Sequence, residues 1–458
     1  MTAFTSDQDL HGFVASYEER YPDDVVIVDR PVSLDQDVTG VVWELASAGH
    51  HEMLHFSNVV GIEHDVVTNM FASRRRIARL LGVDVGSLHA EFQRRATNLI
   101  PPKEVATGPV LDDVHTSGQF DLRDLPLITH FDTDRAPYIT SGIVVAEDPN
   151  GVGNLSYHRA MVHSSSELAT SLHSRGDLWR LLQGAAEQGE VLPVAMVVGG
   201  HPLFMLGAAA RVPITVDERE VVGGLFGEPL EVVRTPLRGI RVPATADFVL
   251  EGFIDPAAHA AEGPFGEFSG YSSDRSTNNV IHVESVLQRR NAILVDVVGG
   301  NSAEHLNLGR IPRESEMSEK LKARFPSVTA VHYPSSGTHF HCYVAVDQRR
   351  PGEARQIMLA LLGWDPYLKT VAAVDSDVDC SSDADVLWAL ATHFQPARDL
   401  FVIKGLPGSA LDPSSSPDGS TSRMGLDATR GADFRGTRIA ISAEARVRAA
   451  DIVADHLR

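Results

Sequence analysis

Cysteine is almost missing from this chain: 458 residues contain two, Cys342 and Cys380. They match no metal-ligand spacing and no disulfide framework, so a reducing compartment, the cytoplasm, is expected. Long apolar runs are missing too. Nothing approaches the roughly 18 consecutive apolar residues of a membrane-spanning helix. The opening stretch, MTAFTSDQDLHGF, carries acids where an export signal needs bases, and it has no apolar core. Internal repeats and long low-complexity segments are also lacking. Positive charge is scarce: 40 Lys and Arg against 61 Asp and Glu leave a formal net charge of -21. That balance argues against nucleic acid and against an anionic membrane as partners. It also sets a requirement. An anionic substrate or cofactor must find its positive charge locally, from arginine, a metal or a helix end.

What is present is ordinary for a globular protein of two or three domains. The first hundred residues mix helix and strand. Asp9 to Arg20 reads as a helix, Val25 to Val28 and His55 to Val60 as strands, and Val66 to Leu81 and Ser87 to Asn98 as helices. Pro101 to Pro126, rich in Pro, Gly and Asp, reads as a linker. From Tyr138 to Gly299 strands dominate, interrupted by helices at Asp177 to Gln188 and near Glu218 to Leu225, which predicts a barrel-like central domain. Beyond Glu314 helix and strand alternate as in an α/β layer, with helices at Glu314 to Arg324, Gly352 to Leu362 and Asp383 to Thr392. Ala443 to Leu457 closes the chain as an amphipathic helix suited to docking on a neighbour.

The most informative stretch is AEGPFGEFSGYSS, Ala261 to Ser273. Glu262 and Glu267 flank Gly-Pro-Phe-Gly, a composition that makes a tight turn rather than a helix face. Such a turn aims two carboxylates at one small volume, where crowding splits them into an ionised and a protonated member. The protonated one is a proton donor. The competing reading is a rigid surface turn. In NLSYHRAMVH, Asn154 to His163, strand alternation puts Asn154 and Arg159 on opposite faces. If both serve one site, a bulge or bend must lie between them. Arg159 is suited to gripping a carboxylate or phosphate with two donors, though alone it is an ordinary surface arginine. Asn154, His173 and Glu218 together offer an amide oxygen, an imidazole and a carboxylate, a set that suits Mn²⁺ or Mg²⁺ better than zinc. Their wide spacing equally fits unconnected polar residues. His339 and His341, in THFHCYVAV, read as structural.

Taken in order, YITSGIVVAEDPNGVGN, NLSYHRAMV, VDEREVVGGLFGEPLEVV, VPATADFVLEGFI, EGPFGEFSGY, DVLWALATHFQPARDL and ALDPSSS resemble the UbiD family of decarboxylases from about Asp121 to Thr429. The resemblance implies an N-terminal α/β domain (1–115), a central split β-barrel like that of flavin reductases (116–300) and a C-terminal α/β domain with a terminal oligomerisation helix (301–458). It implies prenylated FMN, held with Mn²⁺ (or Mg²⁺) and K⁺ and supplied by a flavin prenyltransferase. The implied reaction is reversible non-oxidative decarboxylation of an aromatic, heteroaromatic or α,β-unsaturated acid through a covalent adduct with that flavin. Arg159, Glu262 and Glu267 match the catalytic network. Arg159 positions the carboxylate, Glu267 donates the proton and Glu262 tunes both. Asn154, His173 and Glu218 match the metal ligands. Thr140, Ser156, Ala209, Ala210 and Arg423 fall at cofactor positions, and Arg211 stands where several relatives have proline. Phe268, His305 and Asn307 fall on the substrate side. A homodimer or homohexamer is expected. The competing classes are a flavin-binding relative without activity and a metal-dependent hydrolase.

Overall fold

The protein is described here from a computed structural model covering residue 4 and residues 8–172, 176–347 and 350–456. Strands dominate the middle of the chain because β-branched and small apolar residues run there without a break. Leu192–Val198 (LPVAMVV) is buried everywhere except Pro193, so both of its faces are covered. Its alternate residues enter two different cores. Ala195 and Val197 join Ile143, Val145 and Val249 on one face, and Val194, Met196 and Val198 join Val144, Leu250 and Ile281 on the other. Helices Pro202–Ala208 and Glu218–Phe226 cover the first face, and Asp177–Gln188 covers the second with Leu178 and Leu182. The two-residue period of a strand thus splits one apolar run between two layers.

Among the described residues this central sheet has nine strands. Eight run in the order Tyr138–Ile139, Ala160–Val162, Glu167–Thr170, Asn279–Gln288, Phe248–His259, Leu192–Val198, Gly142–Glu147, Gly153–Tyr157, and Asp113–Thr116 also pairs with Asn279–Gln288. Tyr138–Ile139 and Gly142–Glu147 are neighbours in sequence but lie toward opposite ends of the order. The sheet therefore curls into a half-barrel. The same jump occurs between Gly153–Tyr157 and Ala160–Val162, so His158 and Arg159 cross from one edge to the other. The His158 amide donates to the Gly142 carbonyl at 3.0 Å.

Of the four smaller sheets among the described residues, two form the N- and C-terminal layers. Val25–Val28, Met53–Phe56 and Val66–Thr68 form the N-terminal sheet, completed by Leu294–Val295 from far along the chain. The C-terminal sheet orders Val328–His332, His341–Val346, Thr370–Asp375, Ser420–Ala428 and Leu400–Pro407. The 22-residue helix Ala303–Arg324 joins the layers. Its Leu308 and Ile311 enter a core of the central sheet, and its Met317 and Leu321 enter the C-terminal core. Near its start, Glu304 is fully buried and accepts from Thr68 Oγ1 and the Asn69 amide at 3.0 and 2.8 Å.

Several sequence expectations are corrected. Val66 to Leu81 is a strand, Val66–Thr68, and then a helix, Arg74–Leu81, which Ser73 caps. The expected linker carries Lys103–Glu104 and Asp113–Thr116, each paired into a sheet. Glu314 to Arg324 is only the second half of its helix, since Pro312 lies inside it without ending it. Helix Pro202–Ala208 and strand Ser420–Ala428 were not foreseen. No helix of the described residues is long and apolar enough to cross a membrane.

Candidate active site

Arg159 sits at the crossover between sheet edges. Because His158 and Arg159 leave the strand pattern, the guanidinium is free of the alternation that would place it opposite Asn154. A bend thus lies between the strands that carry Asn154 and lead away from Arg159. The acid-bearing turn meets it there. Gly263 has φ +93, and Phe265–Gly266 pairs with Ser272–Ser273. The Gly270 amide closes the turn on the Glu267 carbonyl at 2.9 Å. A Cβ on Gly266 would lie 2.3 Å from the Phe131 ring, so only glycine fits that close approach.

Three charged groups converge. Arg159 Nε donates to Glu262 Oε1 at 2.8 Å and Nη2 donates to Oε2 at 3.1 Å, a two-pronged grip on Glu262. Its Nη1 donates to Glu267 Oε1. The carboxylates are 0% and 7% exposed and the arginine side chain 13%, so this is no surface turn. Arg159 also lies over the Phe265 ring, 4.8 Å from its centre. Burial opposes the guanidinium charge, but Glu262 and Glu267 outweigh it and raise the pKa. Burial pushes Glu267 above the usual carboxylate range. Arg159 pulls the other way, and the Glu262 charge adds to the rise. Glu267 is thereby the member inclined to hold a proton. Tyr138, unforeseen from sequence, donates to Glu262 Oε1 at 3.0 Å and accepts from the Gly263 amide at 3.1 Å.

A second cluster lies on Gly153–Tyr157 and at the start of helix Glu218–Phe226. Asn154 Nδ2 donates to Glu218 Oε1 at 3.2 Å and the Leu155 amide donates to Oε2 at 3.4 Å. Ser156 Oγ donates to Asn154 Oδ1 at 3.3 Å. Glu218 is buried with no cation among these partners, and burial raises its pKa to about 8. The expected third ligand, His173, lies outside the described residues. Among the described residues no group of three His, Cys, Asp or Glu gathers as a metal site. An amide and a buried carboxylate facing each other nevertheless fit a divalent cation, which would stabilise the charged form that burial disfavours.

The remaining expected residues fall in different places. Thr140 Oγ1 donates to the buried Asp296 at 2.8 Å, and Asp296 also meets His130 Nε2 at 2.9 Å. Ala209 and Ala210 are half-buried at the end of helix Pro202–Ala208. Phe268 packs against His339, Phe340 and Tyr367, with ring centres 4.8, 5.4 and 5.9 Å away. His305 Nδ1 meets the Gly300 carbonyl at 2.8 Å. Two residues do other work. Asn307 Nδ2 donates to the Phe71 and Ala72 carbonyls at 2.9 and 3.1 Å, which ties the long helix to the N-terminal layer. Arg423, expected at the flavin phosphate, instead donates to the carbonyls of Leu362, Asp365, Pro366 and Pro407. Its terminal nitrogens brace the C-terminal domain, and that expectation is corrected.

Three family models match in succession. The N-terminal domain of 3-octaprenyl-4-hydroxybenzoate carboxy-lyase matches residues 18–96, its Rift-related domain residues 103–302 and its C-terminal domain residues 306–428. The chain belongs to the UbiD family. Anhydromevalonate phosphate decarboxylase of Aeropyrum pernix is 33% identical over 410 residues, covering 89% of this chain and 91% of that protein. The UbiD-class enzyme HmfF from Pelotomaculum thermopropionicum, solved with FMN, is 31% identical with a TM-score of 0.90, covering 96% of this chain and 99% of that one. An evolved dimeric form of it, solved with prFMN, is 29% identical with a TM-score of 0.87, covering 97% and 100%. The fold is therefore that of UbiD-class enzymes, and the chain is a carboxy-lyase.

Proposed function

We propose that this UbiD enzyme decarboxylates an α,β-unsaturated acid at the point where Arg159, Glu262 and Glu267 meet. The observation that carries the reading is the two-acid, one-guanidinium network, buried and complete. Losing CO₂ from an sp² carbon leaves electrons that no side chain can hold, and prenylated FMN supplies that sink. Arg159 orients the substrate carboxylate and fixes its approach. Glu267, inclined to hold a proton, delivers it to the carbon that CO₂ left. Glu262, gripped by two nitrogens and by Tyr138, keeps Arg159 charged and aimed.

Asn154 and Glu218, with His173, would hold a divalent metal, Mn²⁺ or Mg²⁺, against the flavin phosphate. Ser156 and Thr140 would contact the flavin, and carbonyls near Ala209 and Ala210 would hold K⁺. A flavin prenyltransferase would supply the cofactor, and a homodimer or homohexamer would be the working state. Aromatic and heteroaromatic acids led the expectation from sequence. Relatives named for anhydromevalonate phosphate favour a non-aromatic unsaturated acid as the substrate class.

The test is CO₂ release by protein produced together with a flavin prenyltransferase, scored over matched aliphatic and aromatic unsaturated acids. Turnover by wild type and its loss in Glu267→Gln at unchanged flavin absorbance are expected. An active Glu267→Gln enzyme would remove the proton-donor assignment.

A further inference from the structure

Glu267 sits on a hairpin too short to hold itself in place. Its strands, Phe265–Gly266 and Ser272–Ser273, have two residues each. Such a pair has little stability of its own. The Glu267 amide donates to the Tyr271 carbonyl at 3.0 Å and the Glu267 carbonyl accepts from the Gly270 amide at 2.9 Å, so both are spent inside the hairpin. The residue before it is held from outside. The Gly266 amide donates to Asp134 Oδ1 at 3.2 Å, and the Gly266 carbonyl accepts from the Gly300 amide at 3.1 Å.

Asp134 is itself well anchored. Its Oδ2 accepts from the Phe131 amide at 3.1 Å, and its own amide donates back to the Phe131 carbonyl at 3.0 Å. These two bonds close a tight turn with the carboxylate at one corner. The Phe131 ring lies where a Gly266 side chain would stand, and it meets Trp43 of helix Asp37–Ser47 with ring centres 5.5 Å apart. Just before it, the Thr129 amide donates to the Leu34 carbonyl at 3.0 Å and the Thr129 carbonyl accepts from the Gln36 amide at 2.9 Å. The segment is thus bonded to the N-terminal layer on one side and to the acid-bearing turn on the other.

His130 keeps positive charge beside it. Its side chain is fully buried, and Nε2 meets Asp296 Oδ1 at 2.9 Å. Burial opposes the imidazolium, but Asp296 outweighs it and raises the pKa, and Asp134 adds to the rise. At Asp134 burial works against the charge, while His130 and the Phe131 and Gly266 amides pull toward it. A carboxylate that accepts from backbone amides holds them more firmly than a neutral acceptor would.

We propose that Asp134 is a positioning residue for the proton donor: by taking the Gly266 amide it fixes the peptide that precedes Glu267, and Phe131 backs that peptide, so that the Glu267 carboxyl keeps one distance from Arg159 and from the carbon to be protonated. Asp134 acts through the backbone and not on the substrate. A misplacement of about 1 Å at a reacting group costs on the order of 100-fold in rate, so an anchor remote from the chemistry has a kinetic consequence. The inference rests on the decarboxylase reading, with Glu267 as donor.

The test compares Asp134→Ala and Asp134→Asn with wild type and with Asp132→Ala, which removes an exposed carboxylate from the same turn. Each is produced with a flavin prenyltransferase and given the unsaturated acid that wild type turns over fastest, with rates divided by bound flavin. Asp134→Ala should lose about 100-fold in kcat with KM within about twofold. Its solvent deuterium isotope effect on kcat should grow, because proton delivery becomes the slow step. Asp134→Asn keeps an acceptor for the Gly266 amide and should recover at least about tenfold of that loss. Asp132→Ala should match wild type. A fall in flavin content alone, with kcat per flavin and the isotope effect unchanged, overturns the proposal, and so does an equal loss in Asp132→Ala. A second measurement needs no turnover. In FMN-loaded protein, amide hydrogen exchange over residues 262–270 should be at least about tenfold faster in Asp134→Ala and close to wild type in Asp134→Asn. Unchanged exchange in Asp134→Ala overturns the anchor. If wild type releases CO₂ from none of the acids while exchange rises as stated, the decarboxylase reading fails and the anchor stands.

Discussion

Two buried carboxylate sites sit on the same curled sheet and are solved in opposite ways. At Glu262 and Glu267 the chain supplies its own counter-charge, since Arg159 reaches both acids. At Glu218 the described residues supply amide donors, from Asn154 and the Leu155 backbone, and burial pushes the carboxyl up to about 8. The first site is electrostatically complete before anything binds. The second would be completed by the cation proposed above. A buried charge that the chain leaves unmatched marks where a ligand belongs, and one that the chain matches marks where chemistry is prepared.

The most severe way to break this contrast is to remove the matched charge. Arg159→Ala should cut kcat/KM by roughly 1,000-fold or more and leave two buried carboxylates repelling each other. Glu267→Gln should lower turnover by about 100- to 10,000-fold with flavin content unchanged, measured by absorbance against CO₂ release. Because the Glu267 pKa is raised, its donor form is lost as pH rises, so wild-type turnover should fall on the alkaline side.

Removing the unmatched charge should act on binding instead. Glu218→Ala is expected to purify with at least roughly tenfold less bound flavin and manganese, by absorbance and metal analysis. Normal occupancy of both would erase the distinction between the two sites.

A gentler test uses pH. A carboxyl raised from 4.5 to about 8 holds its proton in the folded state over that window and loses it in the unfolded state. The native state then binds more protons, so metal-free stability falls as pH rises through the window. Mn²⁺ needs the ionised form, so the stabilisation it gives should grow from pH 5.5 to pH 8, with Tm shifts on the order of 2–4 °C. In Glu218→Gln that pH dependence should vanish. The smallest effect is expected at Tyr138→Phe, which removes one hydroxyl from Glu262 and the Gly263 amide. A loss of about 1 kcal/mol in stability by denaturant titration, with flavin retained, would place Tyr138 as support for the matched site.

The helices Asp177–Gln188 and Asp383–Thr392 were legible with their full bounds because apolar spacing, breakers and caps lie within one local window. The acidic turn was legible because Gly-Pro-Phe-Gly leaves the backbone few alternatives. Helix Pro202–Ala208 was missed because HPLFMLGA is buried throughout and shows no polar face to carry a period. Arg423 was misplaced because a local motif does not say which carbonyls will fold over a guanidinium. Tyr138 gave no local sign, because it matters through a partner distant in sequence, Glu262.

By itself the sequence determined the residue types for acid–base chemistry, the tight turn that carries two acids, and the family whose ordered motifs it bears. Only the tertiary structure decided that Arg159 reaches both acids and that, among the described residues, Glu218 is met by amide donors. The physical reason is that side-chain type and turn geometry are local properties. Burial and charge matching arise only when distant segments close around the same small volume and exclude water.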